Sequence, residues 1–433
     1  MKKTLRISLL ILFLLVVIFV GLAIYFLAKN TSILSGNLND SQLAANNQNA
    51  FISENKYTQL LEQELSVPEK YKTGIFAEAK TLSLPADFKI SLWAAGLNNP
   101  RQIDWTESGT LIVADRGSSS IKMYRQIDSN SYGEEVATID RDLNQPSSVD
   151  FFKGDLYVGT QDKIIVYKNL SEDGTYSEKQ ILIDNLPTSV SPVAHKTRTV
   201  KIGPDEKMYV TVGSSCNSCL ESDERRAAML QANLDGSELK VFASGLRNTV
   251  DFVFKSSVNN FEIWGVDNAR DLLGDDLPPE EVNIISSNKD YGWPYCYGSG
   301  INDPEYPERS GYCKTETEGI VYGLQAHSAP LGLTFLVNEN LAQRVKFPQL
   351  EFKDDLFITF HGSWNRTIPT GYKVVRLNTA QTTSKEVNFI TGWITDNSVW
   401  GRPVDVKFDK NGDMFISDDS ANAIYKVEYT GVE

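Results

Sequence analysis

The chain is poor in the residues that commonly mark metal and redox sites, with three histidines and four cysteines in 433 residues. It also lacks a run of basic residues, and 42 Lys and Arg against 56 Asp and Glu give a net charge of −14. Phosphate binding relies on clustered Lys and Arg, so this surface argues against a nucleic-acid partner. No G-x-G-x-x-G follows a strand and opens a helix, which argues against a Rossmann nicotinamide site.

One long uncharged run is present, from Ile7 to Ala28, and three basic residues precede it. At about 1.5 Å per residue, a helix of this length crosses a hydrocarbon core about 30 Å thick. We predict that residues 1–29 form a cytoplasmic tip and a transmembrane signal anchor of a single-pass cell-membrane protein, with the remainder extracytoplasmic. A cleaved signal peptide is the alternative, but its apolar region is typically shorter and ends in a small-x-small site.

Residues 30–70 are predicted to form a flexible polar linker. Their first part is rich in Asn, Ser and Gln and has few large apolar groups, so it cannot bury enough surface to fold. A helical patch is expected around Gln59 to Glu69. Pro85 marks the approach to the first strand, and beyond it the pattern changes to short alternating strands.

A motif recurs six times in the rest of the chain. Each copy opens with Pro or Arg, continues with alternating apolar residues, and leads through a turn into a second strand; the copies begin at Pro100, Pro146, Arg198, Arg247, Pro330 and Arg402. The first spacings suit the ~40–50 residues of a four-stranded blade. We therefore predict an all-β fold, a six-bladed β-propeller over residues 71–433. A β-sandwich with coincidental similarity between strands is the alternative.

The cysteines form two local pairs, Cys216 with Cys219 and Cys296 with Cys313. An exported protein normally oxidises such pairs, so we predict two disulfide bonds. A zinc site is disfavoured because only the first pair has Cys-x-x-Cys spacing. Thioredoxin-like chemistry is disfavoured because the surrounding pattern contains no βαβ unit.

The stretch from His195 to Gly298 contains HKTR, GLRN, DNARDLLGDD and YGWPYC in one order. This combination resembles the glucose/sorbosone dehydrogenase family of quinoprotein β-propellers, most closely its sorbosone branch, and the resemblance extends more thinly from about Leu84 to Val427. It implies an enzyme that oxidises an aldose or related sugar by hydride transfer to pyrroloquinoline quinone (PQQ), with Ca²⁺, and then reduces an unknown electron acceptor.

The resemblance also implies a general base. His195, in His-x-x-Arg before a strand, matches the family's catalytic histidine, whose ordinary pKa of about 6.5 suits proton abstraction near neutral pH. Ala194 stands where the glucose dehydrogenase branch has an acidic residue, so Asp267 or another loop carboxylate is expected to orient His195. His327, His361 and Trp364 lie at turns that should converge on the channel mouth, where the sugar would bind.

For the cofactor, Arg247 and Asn248 match the family's contacting pair, and Arg402 matches a later family arginine. Arg366 stands about where some relatives have a lysine. A guanidinium can bind carboxylate oxygens in pairs, although salt bridges between blades are an alternative role for each arginine. The backbone carbonyls of Ala269 and Arg270 replace those of a Gly-Pro pair that binds the cofactor calcium, and the additional candidate ligands are Asp267 and Asp271.

Two other functions remain open from the sequence. A propeller of the same ancestry could serve recognition alone, although the combined presence of His195, Arg247, Asn248 and Arg402 argues against it. A calcium-dependent lactonase-like hydrolase would need acidic side chains around one central ion. Its candidates are Asp115, Asp267 and Asp418, but such a site would leave the arginines unexplained.

Overall fold

The structure is a computed structural model, and it describes residues 57–431 apart from 128–130, 189–190, 192, 258–259, 310, 337–346 and 382. The predicted transmembrane anchor lies outside the described residues, as does the predicted linker up to residue 56. Within the described part of the chain, no helix is both long and apolar enough to cross a membrane. The anchor stays a prediction from the sequence.

Three strands precede the first blade: β1 (Leu60–Glu64), β2 (Thr81–Pro85) and β3 (Phe88–Ala95). Strand β1 pairs antiparallel with β2, so the helical patch predicted in this region is wrong. Tyr57 and Leu65, on either side of β1, are buried in a core cluster. Pairing with β2 provides hydrogen-bond partners for the main-chain groups of β1 between them. The folded domain therefore begins before the predicted boundary at residue 71.

The next strands form three blades, each an antiparallel sheet in which successive strands pair. Blade 1 contains β4 (Pro100–Trp105), β5 (Leu111–Asp115), β6 (Ser120–Gln126) and β7 (Gly133–Asp140). Blade 2 contains β8 (Ser148–Phe152), β9 (Asp155–Gly159), β10 (Ile164–Lys168) and β11 (Glu178–Ile183). Blade 3 contains β12 (Arg198–Ile202), β13 (Lys207–Val212), β14 (Ala228–Asn233) and β15 (Lys240–Ser244).

Blade 4 carries an insertion before its outer strand. Its strands are β16 (Thr249–Ser257), β17 (Asn260–Asp267) and β18 (Glu280–Ile285), and after the inserted strands β19 (Lys289–Asp290), β20 (Cys296–Tyr297) and β21 (Ile301–Asn302) it is completed by β22 (Tyr322–Leu324). Strand β19 runs parallel to β15 and extends blade 3. The insertion thus links two neighbouring blades.

Blade 5 contains β23 (Pro330–Phe335), β24 (Asp355–Phe360), β25 (Lys373–Asn378) and β26 (Val387–Ile390). A hairpin of β27 (Ile394–Thr395) and β28 (Ser398–Val399) leads to blade 6, which contains β29 (Pro403–Phe408), β30 (Met414–Asp418), β31 (Ala423–Tyr429) and β3. Short helical turns lie at Glu69–Tyr71, Gly74–Phe76, Arg116–Ser118, Pro307–Arg309, Tyr312–Thr315 and Gln349–Phe352. The predicted six-bladed propeller is confirmed.

The ring is closed by pairing the two ends of the domain. Strand β3 pairs with β31 from Phe88 with Tyr429 to Ala95 with Ala423. The buried Phe88 contacts Phe347 and Phe389, which places aromatic packing behind this closure. Because one blade takes strands from both ends, residues far apart in sequence are brought to the same channel.

Carboxylates on the inner strands connect neighbouring blades. Asp104 accepts a hydrogen bond from the Phe151 N–H at 2.7 Å, and Asp150 accepts one from the Ile202 N–H at 2.8 Å. The same contact recurs between Asp405 and the Ile103 N–H at 2.9 Å. A buried main-chain N–H needs an acceptor, which explains why the repeat carries an acidic residue in the middle of several inner strands.

The inner strands β4, β8, β12, β16, β23 and β29 neighbour each other around the central channel. The segments that enter these strands meet at one end of the channel. His195 precedes β12, and Arg247 and Asn248 precede β16. This end of the channel therefore contains several of the predicted site residues.

Candidate active site

A cavity of about 300 Å³ opens at the end of the channel where the inner strands begin. Its lining consists of Arg101, Arg116, Ala194, His195, Lys196, Thr197, Asn248, Val250 and Leu331. Three of these residues are cations, whereas the apolar cluster of Val250, Leu331 and Val404 lies at the inner strands. The cavity therefore combines a positively charged wall with an apolar floor.

His195 is held at three points. Its main-chain N–H donates to the Ser214 carbonyl at 3.0 Å, and its own carbonyl accepts from the Arg198 guanidinium at 3.1 Å. Its ring Nδ1 lies 2.9 Å from the Ser214 hydroxyl. The contact from Arg198 explains the His-x-x-Arg spacing, and Ser214 occupies the orienting position for which a carboxylate was expected.

Burial and the nearby Arg247 hold the pKa of His195 well below its usual range. Arg198 and Arg226 act in the same direction. The imidazole is therefore neutral at neutral pH, which is the state that a general base requires. Nε2 has no hydrogen-bond partner among the described residues, and the side chain lines the cavity.

Asn248 and His195 meet across Gly213. A Cβ added to Gly213 would lie 2.5 Å from both Asn248 Oδ1 and His195 Cβ, so glycine permits this close approach. Asn248 is 5% exposed, and its Oδ1 has no hydrogen-bond partner in the described part of the chain. A buried amide oxygen without a partner is costly, so this atom is suited to a polar ligand.

The cationic wall was not predicted. Arg101 is paired with Asp419 at 2.6 Å, but its Nε lacks a partner among the described residues. Arg116 donates to the Gln145 side chain at 2.7 Å, and burial together with Arg101 lowers the pKa of Arg116 to about 10. The Arg116 guanidinium is therefore charged at neutral pH, and its one side-chain hydrogen-bond partner among the described residues is neutral, which suits it to an anion.

Arg247 faces away from this wall and is fully bonded to the protein. Its Nε donates to the Asn217 carbonyl at 3.0 Å, and one Nη donates to the carbonyls of Asn268 and Ala269, both at 2.8 Å. The other Nη donates to Asn217 Oδ1 at 2.9 Å and to Asp271 at 3.4 Å. These contacts use all five N–H groups of a guanidinium. In this arrangement Arg247 positions two loops, and its predicted cofactor contact stays untested.

The predicted calcium ligands are engaged with other partners. Asp267 accepts from the Asn248 N–H at 2.9 Å and from the Thr249 hydroxyl at 2.7 Å, and the Ala269 carbonyl faces Arg247. The Arg270 side chain is bonded to Asp303 at 2.8 Å. Ca²⁺ takes six to eight oxygen ligands, so this set does not fit the ion as it stands.

Within the described residues, one group of three side chains could hold a metal: Cys216, Cys219 and Glu221. Both cysteines are in a disulfide, so they are not thiolate ligands. The lactonase candidates also have protein partners. Asp115 pairs with Lys122 at 2.8 Å, and Asp418 accepts from the N–H groups of its own turn and from Arg402 N.

The two remaining histidines have other partners. His327 Nε2 contacts the carbonyls of Gly274 at 2.8 Å and Leu277 at 3.0 Å, and Arg366 contacts the same acidic loop through the Asp275 carbonyl and the Asp276 carboxylate. Both side chains therefore fix the loop 271–277 rather than line the cavity. Trp364 is 72% exposed and remains a candidate for contact with a sugar outside the cavity.

His361 and Arg402 lie in a second group near Arg101. His361 Nε2 is 2.7 Å from Asp419, the same carboxylate that pairs with Arg101. Although burial opposes it, His361 and Arg101 hold the pKa of Asp419 well below its usual range. Arg402 donates to the carbonyls of His361 at 3.0 Å and Gly362 at 2.7 Å. Through Asp419, this group holds Arg101 of the cationic wall in place.

Both predicted disulfides are confirmed. Cys216 and Cys219 have a Cα separation of 6.2 Å, and Cys296 and Cys313 have one of 5.6 Å. Asn217, inside the first disulfide, accepts from Arg247 and also contacts the Asp271 main chain. This short turn therefore lies between His195 and the loop 267–271.

Sequence reasoning missed five site residues: Arg101, Arg116, Lys196, Gly213 and Ser214. Two signals could have found some of them. Arg101 occupies the opening of the first repeat, where later copies have site residues, and Lys196 directly follows His195. Nothing in the sequence marks Arg116, which reaches the cavity from a turn after β5.

The comparisons with known proteins agree with this fold. The chain matches the TrAA12-like family over residues 82–430. An uncharacterized protein of Borreliella burgdorferi is 33% identical over 367 residues, which cover 81% of this chain and 91% of that protein. The chain therefore belongs to the TrAA12-like family, and the predicted resemblance to quinoprotein sugar dehydrogenases is confirmed.

Two solved structures share the fold. The holo form of the PQQ domain of pyranose dehydrogenase from Coprinopsis cinerea has a TM-score of 0.67 at 18% identity, covering 84% of this chain and 98% of that one. The calcium structure of the family AA12 enzyme of Trichoderma reesei has a TM-score of 0.64 at 20% identity, covering 80% and 96%. PQQ-bound and calcium-bound forms thus both occur among the structural neighbours.

Proposed function

We propose that this protein is a PQQ-dependent dehydrogenase that oxidises an aldose or a related sugar, with the cofactor in the 300 Å³ cavity. One observation carries the proposal. A neutral, firmly held histidine lines the same cavity as Arg101, Arg116 and Lys196. A recognition propeller would not require a neutral base beside a cationic wall.

The cavity fits a flat tricarboxylate. Arg101, Arg116 and Lys196 supply positive charge for carboxylates, and guanidinium groups bind carboxylate oxygens in pairs. Val250 and Leu331 provide an apolar surface beneath, and Asn248 Oδ1 offers an unused acceptor. When bound, PQQ supplies the acceptor for the hydride that leaves the sugar carbon.

His195 is the proposed general base. Its Nε2 takes the proton of the sugar hydroxyl as the hydride leaves the same carbon, which yields the carbonyl product. The lowered pKa of His195 keeps its lone pair available at neutral pH. Because Ser214 and Arg198 fix the residue on both sides, little reorganisation is needed when the substrate binds.

A calcium ion is included in this proposal only because of the resemblance to the family. The predicted ligands already face hydrogen-bond donors, so we derive no step through the ion. The experiment therefore includes arms with Ca²⁺ and with a chelator. PQQ binding that persists with the chelator would show that the cationic wall is sufficient.

The test is to titrate the full-length protein with PQQ, to follow the cofactor absorbance, and then to measure dye reduction with a panel of aldoses and polyols. We expect saturable binding and sugar-dependent reduction. Failure to bind PQQ in both arms would overturn the proposal and would favour recognition alone. Binding without turnover on any sugar would contradict the substrate class.

We also propose that the propeller is extracytoplasmic and anchored by residues 1–29. Protease added to intact cells should degrade the domain and leave cytosolic proteins intact. A soluble form should begin near residue 56, because β1 packs on the domain and would be lost by a later start. A domain that is found only in the cytosol with free thiols would overturn this arrangement.

A further inference from the structure

The Ser214 hydroxyl has two neighbours and only one proton to donate. Its oxygen lies 2.7 Å from the Cys216 carbonyl and 2.9 Å from His195 Nδ1. A carbonyl oxygen can only accept, so the hydroxyl proton is committed to Cys216. Ser214 must then accept from His195, which requires a proton on Nδ1.

Ser214 is fully buried, so water cannot easily replace either contact. Its main-chain N–H also donates to the Arg247 carbonyl at 2.8 Å, and its carbonyl accepts from His195 N. The Cys216 carbonyl belongs to the turn that the disulfide to Cys219 closes. The direction of the hydrogen bonds is therefore set by a covalently closed turn.

The other two histidines have the opposite arrangement. His327 Nε2 faces two carbonyls, those of Gly274 and Leu277, and must carry a proton to donate to them. His361 Nε2 faces Asp419, whose carboxylate is ionised and accepts. Among the described residues, His195 is the only histidine with a hydrogen bond through Nδ1, whereas His327 Nδ1 lies 3.7 Å from an Asp271 carboxylate oxygen, beyond hydrogen-bond distance.

We infer that Ser214 is a positioning residue that holds His195 in the Nδ1–H tautomer through the Cys216–Cys219 turn. In this tautomer the lone pair is on Nε2, which has no hydrogen-bond partner among the described residues and belongs to a side chain that lines the cavity. The opposite tautomer would place a proton where a base must accept one. The catalytic consequence rests on the proposed function, whereas the tautomer itself does not.

The tautomer can be read directly by NMR. The full-length protein is labelled with ¹⁵N-histidine, and two-bond ¹H–¹⁵N correlations are recorded at pH 7.5 without cofactor; His195→Gln assigns the signal. We expect one Nδ1–H pattern, from His195, and two Nε2–H patterns. An Nε2–H pattern for His195 in the wild-type protein would overturn the inference without any further variant.

Ser214→Ala tests the cause, with Ser215→Ala as its matched control. The Ser215 hydroxyl donates to Glu221 at 2.8 Å and lies 3.8 Å from Cys219 Sγ, and it has no hydrogen bond to His195 among the described contacts. We expect Ser214→Ala to shift the His195 signal toward Nε2–H, Ser215→Ala to leave it unchanged, and Ser214→Thr to restore it. An unchanged Nδ1–H signal in a folded Ser214→Ala protein would overturn the role of Ser214.

A kinetic arm connects the tautomer to turnover. In protein reconstituted with PQQ, Ser214→Ala should lower kcat tenfold or more, with KM and the Kd for PQQ near their wild-type values, because the wrong tautomer has no lone pair at Nε2. Unchanged kcat alongside a shifted tautomer would overturn the positioning role. If the wild type shows no dehydrogenase activity, the proposed function fails, whereas the NMR result stands by itself.

Discussion

The cavity wall and the neighbouring loop 267–277 are both rich in charge, but they use it differently. Around the loop, Arg247 and Arg270 donate to protein carbonyls and carboxylates. Arg366 also donates to this loop, but its Nε has no partner among the described residues. On the wall, Arg101 and Arg116 keep unused capacity, and Asn248 Oδ1 has no partner among the described residues. A ligand-binding role is indicated less by the presence of an arginine than by donors that the protein leaves unsatisfied.

The largest effect is expected at the wall, from His195→Gln. If His195 takes the hydroxyl proton, kcat should fall by about 10²–10⁴-fold while PQQ binding is retained. His327→Gln, whose side chain contacts the loop, is the matched control and should lower thermal stability with little change in kcat. A kcat close to the wild-type value in His195→Gln would show that His195 is not the general base, and His361 would become the next candidate.

In the loop, Arg247→Met should mainly destabilise the protein. Removing the guanidinium leaves the carbonyls of Asn217, Asn268 and Ala269 without a donor, and loss of one partner of a buried charged pair costs about 3–5 kcal/mol. Denaturant unfolding without cofactor measures this loss. A wild-type free energy of unfolding combined with weak PQQ binding would instead assign Arg247 to the cofactor, as the family resemblance implies.

At the wall, Arg116→Met should weaken PQQ with little loss of stability. Its protein partner is the neutral Gln145, so the variant leaves no buried charge unpaired. Loss of a charged hydrogen bond to a carboxylate should raise the Kd for PQQ by about 10- to 100-fold. Lys196→Met should act in the same direction, and the control Lys153→Met, an exposed pair with Glu206, should not. The same Kd for PQQ in all three variants would show that the cofactor does not bind at this wall.

The sequence was sufficient for the fold because each blade carries its own signal. The repeated openings and the acidic residue in several inner strands can be recognised without knowing the ring. The site was only partly predictable because its residues come together only when the blades close into a ring. Arg101 meets His195 only after blades 1, 2 and 3 are assembled, and the pairing of β3 with β31 closes that ring. The hydrogen-bond partners of Arg247, which decide its role, are likewise set by loops from different blades.

The pH dependence should also distinguish the wall from the rest of the protein. Burial and Arg247 hold the pKa of His195 well below its usual range, so kcat should remain on its plateau as the pH falls through about 6.5. A kcat that halves near pH 6.5 would contradict a base whose pKa is held well below its usual range.

The same lowered pKa affects folding stability. The unfolded chain takes up a proton on His195 near pH 6.5 and the folded protein does not, so the free energy of unfolding should decrease below that pH. His195→Gln should show a smaller loss of Tm between pH 7.5 and 5.5.

The smallest expected effect compares the two disulfides, one beside the wall and one in the insertion that follows the loop. In the chain-entropy model, closing the 17-residue separation of Cys296 and Cys313 contributes about 3 kcal/mol, and the separation of 3 between Cys216 and Cys219 contributes about 2 kcal/mol. Cys296→Ser with Cys313→Ser should therefore lower the Tm more than Cys216→Ser with Cys219→Ser. The order should reverse for kcat, because the small turn contains the Cys216 carbonyl that holds Ser214. If the Cys296 and Cys313 variant showed the larger loss in both Tm and kcat, the Cys216–Cys219 disulfide would have no particular role in positioning His195.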